Sequence, residues 1–253
     1  MSAPARTLYQ FPFSHYCEKT RWNLDAKGVA YRVENVLPGP HRLLLRRLSQ
    51  RTTVPLLVDQ GQVIVDSTEI ALHLERAHPS LALLPTGEAE RQRVLELETY
   101  FDEVAGIHVR RWAYGQLLDS PLLGAVILRE YPGARRLLGN LLLPVLRRVI
   151  RREYQVRPEK VAESHAMLSE GLERLERQIE GDPTRYLVGD TLTLADITAA
   201  TLYAPLVGAP ESPWPESLDA LLSPAFVALR RTIRARPAGQ WVLQRYKVDR
   251  AAR

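Results

Sequence analysis

Thr53-Val54-Pro55-Leu56-Leu57-Val58-Asp59-Gln60-Gly61-Gln62-Val63-Ile64-Val65-Asp66-Ser67-Thr68 holds two short apolar runs, 55–59 and 62–65, on either side of Gly61. Two such runs about a glycine turn predict a β-hairpin. Proline has no N–H for a strand ladder, so Pro55 suits the opening position of its strand. The sequence leaves its peptide isomer open. Downstream, Ile70, Leu72 and Leu74 predict a helix over 67–77 that ends before Pro79. Upstream, 7–11 and 31–37 read as strands, 14–27 as a helix stopped at Gly28, and 40–49 as a short helix. The order β-α-β-α-β-β-α is that of a small α/β sandwich.

The chain has 253 residues, ample for two small domains with buried cores. Hydrophobic residues at 45% and charged residues at 25% exclude the disordered, collagen and coiled-coil classes. The single cysteine, Cys17, excludes an internal disulfide framework and a multi-cysteine metal site. His108 has no cysteine or carboxylate partner at ligand spacing, so no metal is expected. Phosphate-loop and Rossmann glycine patterns are absent. No apolar run reaches the roughly 18 residues that span a bilayer, and the first residues lack a secretory signal's apolar stretch, so a cytoplasmic protein is expected. The net charge of +5 is local: 119–158 carries eight arginines against three acids, and the remainder is balanced. That distribution argues against a nucleic-acid surface.

After the Pro-bracketed stretch 79–87 no strand is expected. Helical spacing recurs over 88–118, 162–181, 193–206 and 224–235. The expected domains are therefore an α/β unit over 1–80, a linker over 81–87, and an all-helical unit over 88–253, with 119–158 as an insertion in it.

Three short motifs carry chemistry. Ser14-His15-Tyr16-Cys17 sits at a strand-to-helix junction, where free N–H groups and the helix dipole favour an anion or thiolate. Ser14 can donate to a thiolate; equally, it can cap the helix while Cys17 packs inside. Val54-Pro55 can leave extended backbone free to pair with a bound peptide. Asp66 can accept from an ammonium group, and Ser67 can cap the third helix and offer its N–H to a carboxylate.

Taken in order, these motifs resemble the glutathione transferase superfamily. Phe11-Pro12-x-Ser14-x-x-Cys17-x-Lys19-x-Arg21 is similar to its first strand-helix segment. Val54-Pro55 is similar to its cis-proline motif, and Asp66-Ser67 to its acidic-serine motif. Thr193-Leu194-Ala195-Asp196-Ile197 is similar to its helical-domain capping box, with Leu192 and Ile197 at hydrophobic-staple positions. The resemblance implies a thioredoxin-like N-terminal domain followed by an all-helical C-terminal domain, a homodimer, and reduced glutathione as co-substrate. It implies that Val54 backbone pairs with the cysteinyl residue, and that Asp66 and Ser67 hold the γ-glutamyl end. Ser14 would hold the thiolate, with Tyr9 and Cys17 as second choices. Thr53 stands where a basic residue often precedes the Val-Pro pair, so the glycyl carboxylate falls to His41, Arg42 or Arg51. The acceptor would be a small hydrophobic electrophile, in a pocket that Trp112 or Tyr114 could line. Trp22, Trp214 and Trp241 are expected to pack in the core. Serine at position 14 disfavours dithiol and mixed-disulfide chemistry; conjugation, isomerisation, dehalogenation and peroxidase chemistry stay open.

The stretch 137–152 reads as a basic amphipathic helix with Leu138, Leu141, Leu142, Val145 and Val149 on one side and a kink at Pro144. It is expected to pack on the helical domain, to wall the acceptor site or extend a dimer contact. A membrane-surface contact and a non-enzymatic scaffold role are the alternatives.

Overall fold

The computed structural model describes residues 6–250. Strands β1 (Arg6–Gln10), β2 (Arg32–Asn35), β3 (Leu56–Asp59) and β4 (Gln62–Val65) form one sheet in the order β2-β1-β3-β4. The pair β1 and β2 is parallel; β3 runs antiparallel to β1 and to β4. Neighbouring Leu56 and Leu57 are both fully buried, as a central strand covered on two faces requires. Helices α1 (His15–Ala26) and α3 (Ser67–Ala77) cover one face, where Leu8, Leu24, Leu57, Ile64, Ile70 and Leu74 form a small core. The short helix α2 (His41–Leu45) follows β2. The hairpin and α3 fall where the spacing places them. Helix α2 stops four residues before the expected end at 49.

All-helical structure follows. The predicted single helix over 88–118 is α4 (Glu88–Phe101) and α5 (Ile107–Leu117), separated by a π-helical turn at Asp102–Gly106. The cause lies in the other domain. A Cβ on Gly106 would sit 2.1 Å from the Tyr16 hydroxyl, so the helix gives way to that side chain. The same hydroxyl donates to the Asp102 carbonyl at 3.3 Å, meeting backbone polarity that the wider turn exposes.

Beyond them lie α6 (Leu123–Ile127), α7 (Gly133–Glu153), α8 (Pro158–Gln178), α9 (Leu194–Val207), α10 (Pro224–Arg234) and α11 (Pro237–Arg245). Every residue of α9 is buried, which makes it the axis of the helical domain. The capping box at Thr193 and Asp196 forms, and Asp196 also accepts the Leu187 N–H at 2.8 Å. Helix α7 runs unbroken through Pro144. Helix α11 lies beyond the last helix expected from the spacing, which ends at 235. Proline is at home in a helix's first turn, and Gly239 lies so near the Ile233 carbonyl that a Cβ would sit 2.0 Å from it.

The two domains are tied by direct contacts. Trp214 Nε1 donates to the Phe13 carbonyl at 2.7 Å, and the Tyr131 hydroxyl to the Val36 carbonyl at 2.7 Å. Trp22 packs on Tyr246 with ring centroids 4.9 Å apart.

Candidate functional site

A cleft of about 970 Å³ opens between the domains. Its N-terminal side is built from the start of α1, the loop around Pro38–Pro40, Val54-Pro55 and the start of α3. Its helical side is the π turn, α5 and α7. Ser14, His41, Arg42, Val54, Pro55, Asp66, Ser67 and Tyr114 all line it. Tyr9, Cys17, Arg51 and Trp112 do not. Trp112 is buried against Phe226, with ring centroids 5.0 Å apart. Cys17 is fully buried, and burial pushes its thiol up, away from thiolate chemistry.

Ser14 is the N-cap of α1, its Oγ accepting the Cys17 N–H at 3.4 Å. Its hydroxyl proton remains free to point into the cleft. The Val54-Pro55 bond is cis, and Val54's own N–H and C=O make no hydrogen bond among the described residues. Asp66, rather than Ser67, caps α3: its Oδ1 accepts from Thr68 N at 2.9 Å and Glu69 N at 3.3 Å. Asp66 holds φ at 94°, a costly conformation for a residue with a Cβ. That strain turns its carboxylate to the helix end at the cleft. Ser67 is buried as the first helical residue, where the helix leaves its N–H without an internal partner.

The candidates for a carboxylate ligand fare unequally. Burial, then the Arg42 charge, lowers His41 to about 4, so the ring is neutral near pH 7. Its Nδ1 accepts the Gly39 N–H at 3.1 Å, which leaves the proton on Nε2 as a neutral donor. Arg42 pairs across the cleft mouth with Glu153 of α7.

Several residues of the site escape sequence reasoning. Lys19 is fully buried beneath the α3 terminus, with Nζ donating to Thr68 Oγ1 at 3.0 Å, Glu98 Oε1 at 2.5 Å and Asp102 Oδ1 at 2.7 Å. Burial disfavours its charge, but the two carboxylates outweigh burial and hold the ammonium above the ordinary lysine value. The Asp102 carboxyl is pushed up by burial and drawn partly back by Lys19. Helix α7 presents Leu142, Leu146, Val149 and Ile150 to the cleft. Of the five residues expected on one side, Leu142, Val145 and Val149 line the cleft, whereas Leu138 and Leu141 are 45% and 70% exposed.

His15 is buried beside Ser14, and its Nε2 has no hydrogen-bond partner among the described residues. Burial first, then the charges of Arg110 and Lys19, lowers its pKa from 6.5 to about 3. The unfolded chain therefore takes up this proton first as pH falls. His15 contributes its full stability above about 6.5 and loses it progressively toward 3. Between about pH 7.5 and 5 the loss from this one group is about 2 kcal/mol. Denaturant unfolding at both pH values is expected to show that loss in the wild type and not in His15→Gln. Parallel losses in the two proteins would remove His15 as the cause.

Two family models match the chain: glutathione S-transferase, N-terminal domain, over residues 8–86, and glutathione S-transferase, C-terminal domain, over residues 158–223. The chain belongs to the glutathione transferase superfamily. Between the two matched stretches of this transferase-family chain lie α4, the π turn, α5, α6 and α7, and from α5 to α7 comes most of the apolar side of the cleft. A "Probable maleylacetoacetate isomerase" of Caenorhabditis elegans is 32% identical over 93 residues, 36% of this chain and 44% of that protein. A "Stringent starvation protein A homolog" of Pasteurella multocida is 35% identical over 79 residues, 31% of this chain and 37% of that protein. The chain thus matches less than half the length of these curated relatives. Among solved structures, a glutathione S-transferase of Ceriporiopsis subvermispora in complex with glutathione is similar at TM-score 0.64 and 18% identity, covering 98% of this chain and 97% of that one. The β-etherase LigF of a Sphingobium strain is similar at TM-score 0.61 and 22% identity, covering 95% and 99%. At these identities the likeness is one of fold.

Among the described residues, no group of three or more His, Cys, Asp and Glu side chains comes together to hold a metal ion. No helix among them is long and apolar enough to cross a membrane.

Proposed function

We propose that this chain is a serine-type glutathione transferase that binds reduced glutathione and promotes attack of its thiolate on a small hydrophobic electrophile. The observation that carries the reading is convergence: Ser14, Val54, Asp66 and Ser67, spread over more than fifty residues of chain, face one cleft whose opposite wall is mostly apolar. The free backbone of Val54 supplies a donor and an acceptor for the cysteinyl residue of a peptide in extended conformation. The second oxygen of Asp66 accepts from the γ-glutamyl ammonium, and the Ser67 N–H from the neighbouring carboxylate. The thiol then lies over the N-terminus of α1, where the Ser14 hydroxyl donates to the thiolate. The thiol proton passes to solvent, the sulfur forms a bond to the electrophilic carbon as that carbon's bond to its leaving group breaks, and α7 keeps the acceptor side dry. The homodimer implied by the family belongs to the same proposal.

Calorimetric titration with reduced glutathione tests this reading. The wild type is expected to bind, and Asp66→Asn to bind at least about tenfold more weakly, since a hydrogen bond to a charged group contributes about 1.5–3 kcal/mol. Asparagine is chosen because it keeps the α3 cap and tolerates positive φ, so the fold is left in place. No heat of binding at millimolar glutathione would replace the enzyme reading with that of a transferase-like scaffold or binding protein.

A further inference from the structure

Arg110 is the unmatched charge of the cleft. It lies on α5, half-buried, with its guanidinium 4.1 Å from the Tyr154 ring centroid and 5.3 Å from that of Tyr16. Its Nε is buried without a hydrogen-bond partner, and no carboxylate among the described residues pairs with it. The acids that line the cleft are engaged elsewhere or lie apart. Asp102 is held by Lys19, Glu153 by Arg42, Asp66 by the α3 terminus, and Glu103 is exposed. Arginine does not shed its proton, so a full cation faces an otherwise apolar acceptor space. Tyr154 and Tyr114 stack beside it, with centroids 5.6 Å apart and planes 15° from parallel. The terminal nitrogens of Arg110 make no hydrogen bond to the described residues, and a planar fork of donors with Tyr154 behind it matches a carboxylate.

We propose that the acceptor site is built for an electrophile that carries a carboxylate on a flat apolar body, with Arg110 binding the carboxylate and α7 covering the body. The chemistry rests on the transferase reading; the anion site does not. For a model acceptor such as 4-chloro-3,5-dinitrobenzoate, the glutathione sulfur forms a bond to the ring carbon bearing chlorine. The carbon–chlorine bond then breaks, chloride leaves, and the thiol proton passes to solvent.

The test has a binding arm and a turnover arm. In the first, the unreactive 3,5-dinitrobenzoate and its neutral amide are titrated into wild type, Arg110→Gln and Arg110→Lys. The wild type is expected to prefer the carboxylate by about tenfold or more, as one charge-assisted contact allows. Arg110→Gln is expected to bring the preference to within about twofold, and Arg110→Lys to retain part of it. Binding of the amide by each variant reports that it is folded. In the second arm, kcat/KM for 4-chloro-3,5-dinitrobenzoate and for its methyl ester are each divided by the uncatalysed rate with glutathione. The ratio of the two is expected to fall by about tenfold in Arg110→Gln. An equal preference in wild type and Arg110→Gln would overturn the proposal and leave Arg110 as a clamp on Tyr154. So would a loss confined to glutathione affinity, which would assign Arg110 to the co-substrate. Carboxylate preference without glutathione binding would retain the anion site and sink the transferase reading instead.

Discussion

Lys19→Met is expected to destabilise the folded protein by about 3–5 kcal/mol, the usual consequence of removing one partner of a buried ion pair. The geometry explains why the upper part of that range is reasonable. Lys19 is fully buried, and the Glu98 side chain is only 2% exposed. Without the ammonium, Glu98 keeps a single donor, the Thr68 hydroxyl at 2.7 Å. A buried carboxylate with one neutral hydrogen bond either stays charged at high cost or takes up a proton. In the variant its folded pKa therefore rises above the unfolded value. The folded state binds the extra proton, and the deficit relative to wild type shrinks as pH falls through that raised pKa. Lys19→Met/Glu98→Gln removes both charges of the tightest contact and is expected to recover most of the loss. Denaturant midpoints of the three proteins at two pH values check this. A single-variant cost below about 1 kcal/mol would mean that the network is no stronger than a surface pair. The same contacts join α1, the α3 terminus and the π turn, so the lysine also fixes Asp66 and Ser67 relative to the helical wall.

Legibility in the sequence followed how far apart interacting residues lie. The hairpin and α3 were readable because their signals are local: a glycine turn, period-two apolar runs, and a cap next to an apolar face. Ser14, Val54 and Asp66-Ser67 were readable for the same reason, since each sits at the end of an element where backbone geometry sets its direction. Asp66 still displaced Ser67 as the cap, because the strained backbone at φ 94° brings its carboxylate back over the first turn. Nothing local gives Lys19 a role, because its partners stand 79 and 83 residues away. Arg110, Tyr154 and His15 were invisible as a group, since Arg110 of α5 meets the Tyr16 ring beside His15 and the Tyr154 ring only in the folded chain. The π turn at Asp102–Gly106 is of the same kind: its cause is Tyr16, in another domain. Helix α7 was readable as amphipathic, and Leu142, Val145 and Val149 of its expected face line the cleft, while Leu138 and Leu141 do not. Apolar residues lie on more than one side of it, and the domain against which it docks decides which side turns inward.

Ser14→Ala is expected to shift the pH–rate profile of glutathione conjugation upward by about one to two pH units. A hydroxyl donating to a thiolate is worth about 1.5–3 kcal/mol, and 1.36 kcal/mol corresponds to one pKa unit. A free thiol near pKa 8.5 is only about 1% ionised at pH 6.5, whereas one held near 6.5 is half ionised. The variant's rate at pH 6.5 should therefore fall by about 5- to 50-fold, and the deficit should close as pH passes the free-thiol value. Ultraviolet titration of the bound thiolate should move by the same interval while glutathione affinity stays near that of wild type. Because Ser14 also caps α1, Ser14→Gly is the companion variant: glycine is nearly as good an N-cap, so it should reproduce the kinetic shift with little loss of stability. Cys17→Ala should leave the profile in place, since that thiol is sealed in the core with its pKa raised by burial. If Ser14→Ala and the wild type share one profile, the hydroxyl is not the group that holds the sulfur. Thiolate stabilisation then falls to the N–H groups of the first turn of α1, which the substitution leaves where they are.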